Sequence, residues 1–235
     1  MAASESKLWY LEQINIFRDL GEDDLHRIDQ LTNMRTMEKG KYIFFPDDPS
    51  KVVFLLKMGK VKIGSYSSDG KEIIKAILEP GEIFGEMAIM GQDKRRDFAQ
   101  AMTNDVRFCA IGVDEMREIL MSNPKLNFEV TKTIGERLQK VERRLESLVF
   151  KHARQRILEF IESNAKEKGM KVGYGLKLKH ELTHQDIANL TATSRQTVTI
   201  ILNELRELEL INFDRKSILI HDLNDFEKEV KKAQI

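Results

Sequence analysis

The hydrophobic pattern changes its period along the chain, and each change predicts a different kind of element. From residue 40 to residue 111 the apolar residues form short β-rich runs separated by glycine turns. Three such runs are Val52–Leu56, Val61–Tyr66 and Ile73–Leu78. Gly59, Gly70 and Gly81 lie at the turns, 11 residues apart, and Asp69-Gly70 is a hairpin signal. Regular turns at this interval predict an antiparallel β-sandwich or β-roll.

A helical pattern replaces the β pattern between residues 114 and 150. One set of apolar positions follows spacings of 4, 3, 4 and 3 residues: Ile134, Leu138, Val141, Leu145 and Leu148. This is the a/d pattern of a coiled coil, and charged residues fill the positions between. A helix packed on its own domain is the alternative, but a strict 3.5-residue period over two heptads favours a second helix as the partner. We therefore predict a dimerisation helix with these residues as its interface.

The elements group into three parts, which predicts a chain of the α+β class. The parts are N-terminal helices and a β-roll over residues 1–115, the long dimerisation helix and a hinge over residues 116–152, and a mostly helical module over residues 153–235. Asp23 or Asp24 is the expected start of a helix in the first part. In the third part, a helix over residues 151–168 is followed by a predicted loop over residues 167–175.

Two helix starts lie close together in the third part. Thr183 with Asp186 forms a capping-box pattern, and Thr193 with Gln196 forms a second one. Apolar residues follow each start at helical spacing, and residues 191–192 separate the two helices. This arrangement predicts a helix-turn-helix, with an ordinary well-capped helical hairpin as the alternative.

The second of these helices, which we call the reading helix, has a polar N-terminal side. Arg195, Gln196 and Thr199 lie on that side, where a helix that enters the major groove reads bases. Hydroxyl groups and free backbone N–H groups nearby suit phosphate oxygens. Asp214-Arg215-Lys216 is flanked by two short β-rich runs, which predicts a hairpin wing with a basic tip. The candidate DNA-contacting residues are Thr183, Gln185, Ser194, Arg195, Gln196, Thr197, Thr199 and Lys216.

Composition narrows the function classes. The 235 residues include 38 basic and 38 acidic ones, so any basic surface that binds nucleic acid must be local. The single cysteine, Cys109, excludes an internal disulfide and an iron–sulfur cluster held by four cysteines, and it is expected in a packed strand. The histidines show no metal-ligand spacing, and no catalytic constellation stands out. The lack of a catalytic constellation predicts that the protein is not an enzyme. The apolar runs are too short to span a membrane, which predicts a soluble cytoplasmic protein.

Three segments carry a resemblance to a known family. They are Gly85-Glu86-Met87-Ala88-Ile89 in the roll, residues 145–150 at the end of the long helix, and residues 183–198 in the third part. The chain resembles the CRP/FNR family of bacterial transcription regulators over nearly its whole length. The resemblance implies a cyclic-nucleotide-binding-like roll, a dimerisation helix and a winged helix-turn-helix. It implies a homodimer that binds double-stranded DNA sequence-specifically, with RNA polymerase as a further partner. A nucleotide-regulated subunit of another protein and a DNA-bending protein are the alternatives.

The resemblance also implies an effector pocket in the roll. Its candidate residues are Gly85, Glu86, Met87, Ala88, Arg95 and Arg96. In nucleotide-responsive members, the matching turn and arginine hold the cyclic phosphate, and the glutamate accepts from the ribose hydroxyl. Here Arg96 replaces the hydroxyl residue that usually follows that arginine. We expect a small anionic effector or none, with a cyclic nucleotide as the alternative. In the empty pocket, Arg95, Arg96 and Asp97 are expected to form a salt-bridge network with Glu86.

Other departures from the family pattern lie at positions that contact the adenine of the effector or belong to the DNA-binding module. Val141 and Glu142 occupy the positions that present Thr-Ser to adenine in the cyclic AMP receptor, which does not support adenine binding. Ala192 replaces the usual glycine of the helix-turn-helix. Gln196 and Ile200 stand where many members carry a glutamate and a second base-reading arginine. The expected DNA half-site is therefore richer in A·T pairs than the sites of those members.

Overall fold

The computed structural model describes Phe17 and residues 20–233, and the chain divides into two compact units between Gln139 and Lys140. Helices expected before residue 17 lie outside the described residues. The first described α-helix, α1, is Glu22–Leu31 and has Gly21 as its N-cap, so it begins before the expected Asp23 or Asp24. Acidic side chains fill its first turn, where the positive end of the helix dipole stabilises them.

The strands of residues 33–112 form two four-stranded antiparallel sheets, as predicted for a roll. In chain order they are β1 Asn33–Met37, β2 Tyr42–Phe44, β3 Val52–Met58, β4 Val61–Tyr66, β5 Glu72–Leu78, β6 Ile83–Phe84, β7 Phe98–Ala101 and β8 Val106–Gly112. One sheet has the order β1-β8-β3-β6 and the other β2-β7-β4-β5. The α+β class and the roll are thereby confirmed.

The strands β3 and β8 in the middle of the sheet β1-β8-β3-β6 are buried on both faces, which explains the unbroken apolar run in β3, whereas the edge strand β1 is largely exposed. Val53 and Leu55 pack towards the helices of this unit, whereas Phe54 and Leu56 pack between the two sheets. Alternate side chains of a strand point to opposite faces, so one strand serves two cores. Cys109 in β8 is buried in the helix-side core, as expected of a packed strand thiol.

Two helices follow the roll: α2, Val113–Ser122, and α3, Pro124–Phe150. The predicted helical stretch is interrupted at Asn123, whose side-chain oxygen accepts from the backbone N–H of Leu126 at 3.0 Å. Proline is well suited to the first position of a helix because it lacks the N–H that would have no partner there. Leu126 and Val130 are buried against the roll, and the apolar residues of α3 from Leu138 onwards are exposed.

The second unit is a small helical module with its own sheet. After α3 its elements are α4 Ala153–Lys168, β9 Met170–Val172, β10 Gly175–Lys179, α5 His184–Thr191, α6 Arg195–Glu207, β11 Ile211–Phe213, β12 Ser217–Ile220 and α7 Leu223–Lys232. The strands of residues 170–220 are ordered β11-β12-β10-β9, and β11 with β12 is the predicted wing. One apolar core joins α4, α5, α6 and α7; Ile157, Ile187, Leu202 and Phe226 lie within it.

The predicted loop over residues 167–175 is wrong in part, because it contains β9. This strand pairs with β10, and β10 pairs in turn with β12. Leu176 of β10, for example, faces Lys171 on one side and Ile220 on the other. The edge strand β9 is therefore one arm of a tight hairpin with β10, and β10 is held on its other side by β12, which is distant in sequence. The short, exposed pattern of β9 does not reveal the hairpin.

Candidate nucleic-acid interface and roll pocket

The capping box at the start of α5 is confirmed. The Thr183 hydroxyl accepts from the backbone N–H of Asp186 at 3.1 Å, and the Asp186 carboxylate accepts from the backbone N–H of Thr183 at 2.9 Å. The next exposed side chain, Gln185, donates to Asn189 one turn later at 2.8 Å. Thr183 and Gln185 therefore remain at the surface, on a helix end whose geometry is fixed by the cap.

The cap of α6, the reading helix, is Ser194, and the predicted box of Thr193 with Gln196 is wrong. The Ser194 hydroxyl accepts from the backbone N–H of Thr197 at 3.0 Å and lies 2.7 Å from the Thr197 hydroxyl. Thr193 instead contacts the Thr191 hydroxyl at 3.1 Å. Ser194 has the extended backbone of an N-cap, so Gln196 is not needed for capping and its side chain is exposed.

The turn between α5 and α6 is left-handed at Ala192. Its φ of 49° and ψ of 52° lie in a region that costs a residue with a side chain about 1–2 kcal/mol. Two hydrogen bonds hold the turn, because the Ala188 carbonyl accepts from the backbone N–H groups of both Ala192 and Thr193. This explains why the family pattern has glycine here and shows that alanine still closes the turn.

The reading helix has one apolar and one polar side, as predicted. Val198, Ile201, Leu202 and Leu205 are buried. Arg195, Gln196 and Ile200 are exposed, and Ile200 is 49% accessible. The exposed side begins at the N-terminus of the helix, which is the end that a helix-turn-helix presents to base edges.

Thr199 is placed differently from these exposed residues. It is half-buried, its hydroxyl donates to the Arg195 carbonyl at 2.9 Å, and it lies 2.9 Å from Nδ1 of His184 on α5. Burial, and to a lesser extent the charge of Arg195, lowers the pKa of His184. The Thr199 hydroxyl thus joins the two helices, which leaves it less free for DNA than the sequence analysis expected.

The wing carries its basic residues on a turn organised by Asp214. The Asp214 carboxylate accepts from the backbone N–H groups of Lys216 at 2.6 Å and Ser217 at 2.8 Å, and these bonds lower its pKa. Arg215 and Lys216 are exposed at the tip. At the base of the wing, the Arg206 guanidinium lies over the Phe213 ring, 5.2 Å from its centroid.

In the roll, Arg95 lies under the turn that contains Gly85. Arg95 is 5% accessible and donates to the backbone carbonyls of Gly85, at 3.0 Å, and of Val52. Its guanidinium also lies 4.5 Å from the centroid of the Phe44 ring. Gly85 has a φ of 73°, and a Cβ at this position would lie 2.7 Å from the guanidinium. Burial lowers the pKa of Arg95, with nearby carboxylates opposing the shift.

The expected salt-bridge network in the pocket is wrong, because Glu86 has a different partner. Arg137 of α3 donates to the Glu86 carboxylate at 2.8 Å and also to the Ile83 carbonyl. Asp97 pairs instead with Lys75 at 2.5 Å, and Arg96 is exposed. Of the two arginines expected in the roll pocket, Arg95 is buried and Arg96 is at the surface.

Sequence reasoning missed Arg137, although a signal was present. It follows Ile134 by three residues, and residues three apart share a helix face. Ile134 packs against the core of the first unit, so the same face of α3 directs Arg137 to the roll. The remaining pocket residues differ in exposure, since Ala88 is buried and Met87 is 49% accessible.

The predicted dimer seam is largely uncovered. Leu138, Val141, Leu145 and Leu148 are 58%, 57%, 62% and 41% accessible, whereas Ile134 is half-buried against the roll.

Within the described part of the chain, no helix combines the length and the apolar character that crossing a bilayer requires.

The two units match two different family models. Residues 34–123 match the cyclic nucleotide-binding domain, and residues 155–229 match the Crp-like helix-turn-helix domain. A global nitrogen regulator of Synechococcus elongatus is 30% identical over 94% of this chain and 95% of its own. The chain belongs to the CRP/FNR family of transcription regulators. As a member of the CRP/FNR family it is a DNA-binding regulator and not an enzyme, which confirms that part of the sequence analysis.

Further relatives and structures agree with membership of the CRP/FNR family. A CRP-like cAMP-activated global transcriptional regulator of Mycobacterium tuberculosis is 29% identical over 78% of this chain and 82% of its own. A CooA mutant from Carboxydothermus hydrogenoformans superimposes with a TM-score of 0.78 and 27% identity, covering 94% of this chain and 95% of its own. Of these three proteins, the Mycobacterium tuberculosis regulator is named for activation by cAMP and the names of the other two give no signal, so membership of the CRP/FNR family does not itself assign an effector.

Proposed function

We propose that two copies of this chain pair along α3 and bind a two-fold symmetric DNA site with one reading helix each. In this proposal residues 1–115 form the sensor, residues 116–152 pair and transmit the signal, and residues 153–235 bind DNA. The dimer would act on transcription in the cytoplasm together with RNA polymerase. The observation that carries the proposal is the exposed apolar seam of α3 in a chain that also presents an exposed reading helix.

The seam supports pairing because its apolar side chains are exposed to water and repeat with the spacing of a coiled coil. Leu138, Val141, Leu145 and Leu148 are each about half exposed, so covering the remaining surface of each would contribute on the order of 1 kcal/mol, about half of what burial of a fully exposed side chain contributes. Their spacing matches the a and d positions of a two-stranded coiled coil, which covers such side chains with the same side chains of a partner. A two-fold axis along α3 would then give the two modules the symmetry that a palindromic operator has.

Base recognition is assigned to the exposed side of α6. The Arg195 fork matches the O6 and N7 acceptors of guanine, and Gln196 can both donate to and accept from adenine. Ile200 offers no hydrogen bond but can contact a thymine methyl group. These three positions lead us to propose a half-site with one G·C pair followed by A·T-rich positions.

Phosphate contacts are assigned to the groups around the two helix N-termini and the wing. Thr183, Gln185, Ser194 and Thr197 are small polar side chains at those ends, where backbone N–H groups attract anions. Lys216 supplies a charge at the wing tip. Such contacts set the register of the protein on the duplex but do not choose the sequence.

For the roll, we propose a pocket that does not take up cyclic AMP and that responds, if at all, to a small anion. Arg95 and Glu86 would be the family's phosphate and ribose ligands, and both are already engaged by groups of this chain. Arg137 adds a second guanidinium beside Glu86, so an incoming anion would meet two arginines. Val141 and Glu142 lack the hydroxyl groups that the cyclic AMP receptor offers to adenine. A nucleotide would have to take Arg95 from its carbonyl acceptors and Glu86 from Arg137, and no hydroxyl groups at positions 141 and 142 would hold its adenine in return.

In vitro selection of duplexes from a random pool tests the DNA proposal. We expect enriched sequences with two inverted half-sites, each holding one invariant G·C pair. A pool that enriches no sequence, or that enriches a single unrepeated element, would contradict the proposal. Repeating the selection with the Leu145→Glu chain is the matched control, because it removes pairing and leaves the reading helix unchanged.

A further inference from the structure

Arg144 and Arg156 converge on the C-terminal end of α5. Arg156 donates through Nε to the Thr191 carbonyl at 2.8 Å, through Nη2 to the Ala192 carbonyl at 3.0 Å and through Nη1 to the Lys151 carbonyl at 2.6 Å. Arg144 of α3 donates through Nη2 to the Asn189 carbonyl at 2.8 Å. All these residues belong to the second unit, and together they connect the last turns of α3 to the helix-turn-helix.

The chemistry of these contacts is that of a cation at helix ends. The last carbonyls of a helix lack partners within the helix and form the negative end of its dipole. Asn189 and Thr191 lie in the last turn of α5, and Lys151 directly follows the last residue of α3. Arg156 therefore bonds the ends of two helices at once through three donors fixed in one plane, a geometry that the flexible ammonium group of a lysine does not provide. Burial lowers the pKa of Arg144, so its position within the unit is costly unless hydrogen bonds compensate.

The carbonyls bound by these arginines are those that lead into the reading helix. Ala192 is the left-handed residue of the turn, and Ser194, two residues later, caps α6. Movement of these carbonyls would move the N-terminus of α6 and with it Arg195. The hydrogen bonds thus connect the direction of the reading helix to the end of α3.

We propose that Arg144 and Arg156 are positioning residues that act as a guanidinium clamp. They fix each reading helix relative to the end of its own α3 and so set the separation of the two reading helices in the dimer. This inference rests on the proposed dimer. It predicts a specific role in DNA recognition, namely the choice of half-site spacing, because a rigid dimer matches only half-sites whose separation equals that of its reading helices.

The experiment compares full-length wild type with Arg144→Gln on duplexes that carry the half-sites obtained by in vitro selection. The duplexes keep the selected separation, lengthen or shorten it by one or two base pairs, or hold one half-site only. Fluorescence anisotropy gives each Kd. We expect the wild type to lose on the order of tenfold in affinity when the separation changes and the variant to lose less than about threefold. Affinity for the single half-site should be the same for both proteins.

The matched control is Lys140→Gln, which removes one positive charge from an exposed position one turn earlier on α3. It should keep the wild-type spacing dependence. Thermal unfolding and sedimentation establish that each variant is folded and paired. If Arg144→Gln does not fold, Arg144→Lys and Arg156→Lys replace it, since they keep the charge and lose the guanidinium geometry.

The outcomes separate the clamp from the dimer. A folded, paired variant with wild-type spacing dependence would overturn the clamp, and so would an equal loss on the single half-site. Failure of all the arginine variants to fold would also overturn it, because the arginines would then be needed for folding of the module as a whole. A wild type without any spacing dependence would overturn the proposed dimer as well.

Discussion

At the scale of single residues, recognition of DNA depends on which polar side chains the helix caps leave available. Ser194 and Thr183 hold backbone N–H groups of their own helices, and Thr199 joins α6 to His184. Arg195 and Gln196 lie next to these groups and are exposed at the N-terminus of the reading helix. We therefore propose that Arg195 and Gln196 recognise bases and that Ser194, Thr183 and Thr199 hold the helices in position.

Replacing Arg195 by alanine should relax the choice of base at one position of the half-site. The loss should be about 1–3 kcal/mol on the selected operator, because a bidentate contact with guanine is removed. Anisotropy titrations against operators with each base at that position measure the effect. Equal losses on all these operators would show that Arg195 contacts only the backbone.

Replacing Lys216 by alanine should give the opposite pattern. The wing lysine is assigned to a phosphate, so affinity should fall by the same factor on every sequence. The slope of log K against log salt should decrease by about 1 in magnitude, since one fewer counterion is released. A change in sequence preference, or an unchanged salt slope, would place Lys216 elsewhere.

The sequence predicted some of these residue roles and not others. The Thr183 box was readable because all its partners lie within four residues. Thr193 and Ser194 are adjacent hydroxyl residues that could each cap α6, and the sequence pattern does not show that Ser194 is the cap while Thr193 contacts Thr191. Arg95 was placed correctly inside the roll, but its acceptors are backbone carbonyls, which carry no sequence signal.

At the scale of elements, α3 has two halves with different environments. Leu126 and Val130 pack in the first core, whereas Leu145 and Leu148 are exposed at the other end. The 4-3 spacing marked the exposed half correctly as an apolar stripe. The start of the helix at Pro124 and the strand β9 were harder to predict, because the first depends on a cap and the second is a short, exposed strand without an apolar alternation.

Leu145→Glu should dissociate the proposed dimer. Each substitution places two negative charges in an apolar interface, where unpaired charges are strongly disfavoured. Sedimentation velocity at micromolar concentration should show pairs for the wild type and single chains for the variant. Gln139→Glu adds the same charge at an exposed position outside the seam and should remain paired. A wild type that sediments as single chains at this concentration would contradict the prediction.

At the scale of the whole molecule, the roll and the DNA module are each complete folds with separate cores. The order of these units was predictable because period changes and family motifs mark each of them. The partners of the roll-pocket residues were not predictable, since the Glu86–Arg137 pair joins positions 51 residues apart in the sequence. This pair engages the pocket's glutamate within the chain and links it to the helix that carries the seam.

Cyclic AMP should therefore bind poorly. Calorimetry with the full-length chain should give no low-micromolar binding, which would correspond to about −8 kcal/mol. The reason is that Glu86 and Arg95 would have to exchange internal partners for the ligand without hydroxyl groups to hold adenine. Low-micromolar binding that is lost in Arg95→Ala would contradict this account and locate the nucleotide in the roll.

The number of chains on one operator tests the central claim most directly. Sedimentation velocity of the wild type with a labelled duplex that carries both selected half-sites gives the mass of the complex. The account predicts two chains per duplex at the lowest protein concentration that forms a complex, with no intermediate of one chain. A stable complex of one chain per duplex, with the same affinity in Leu145→Glu, would contradict it.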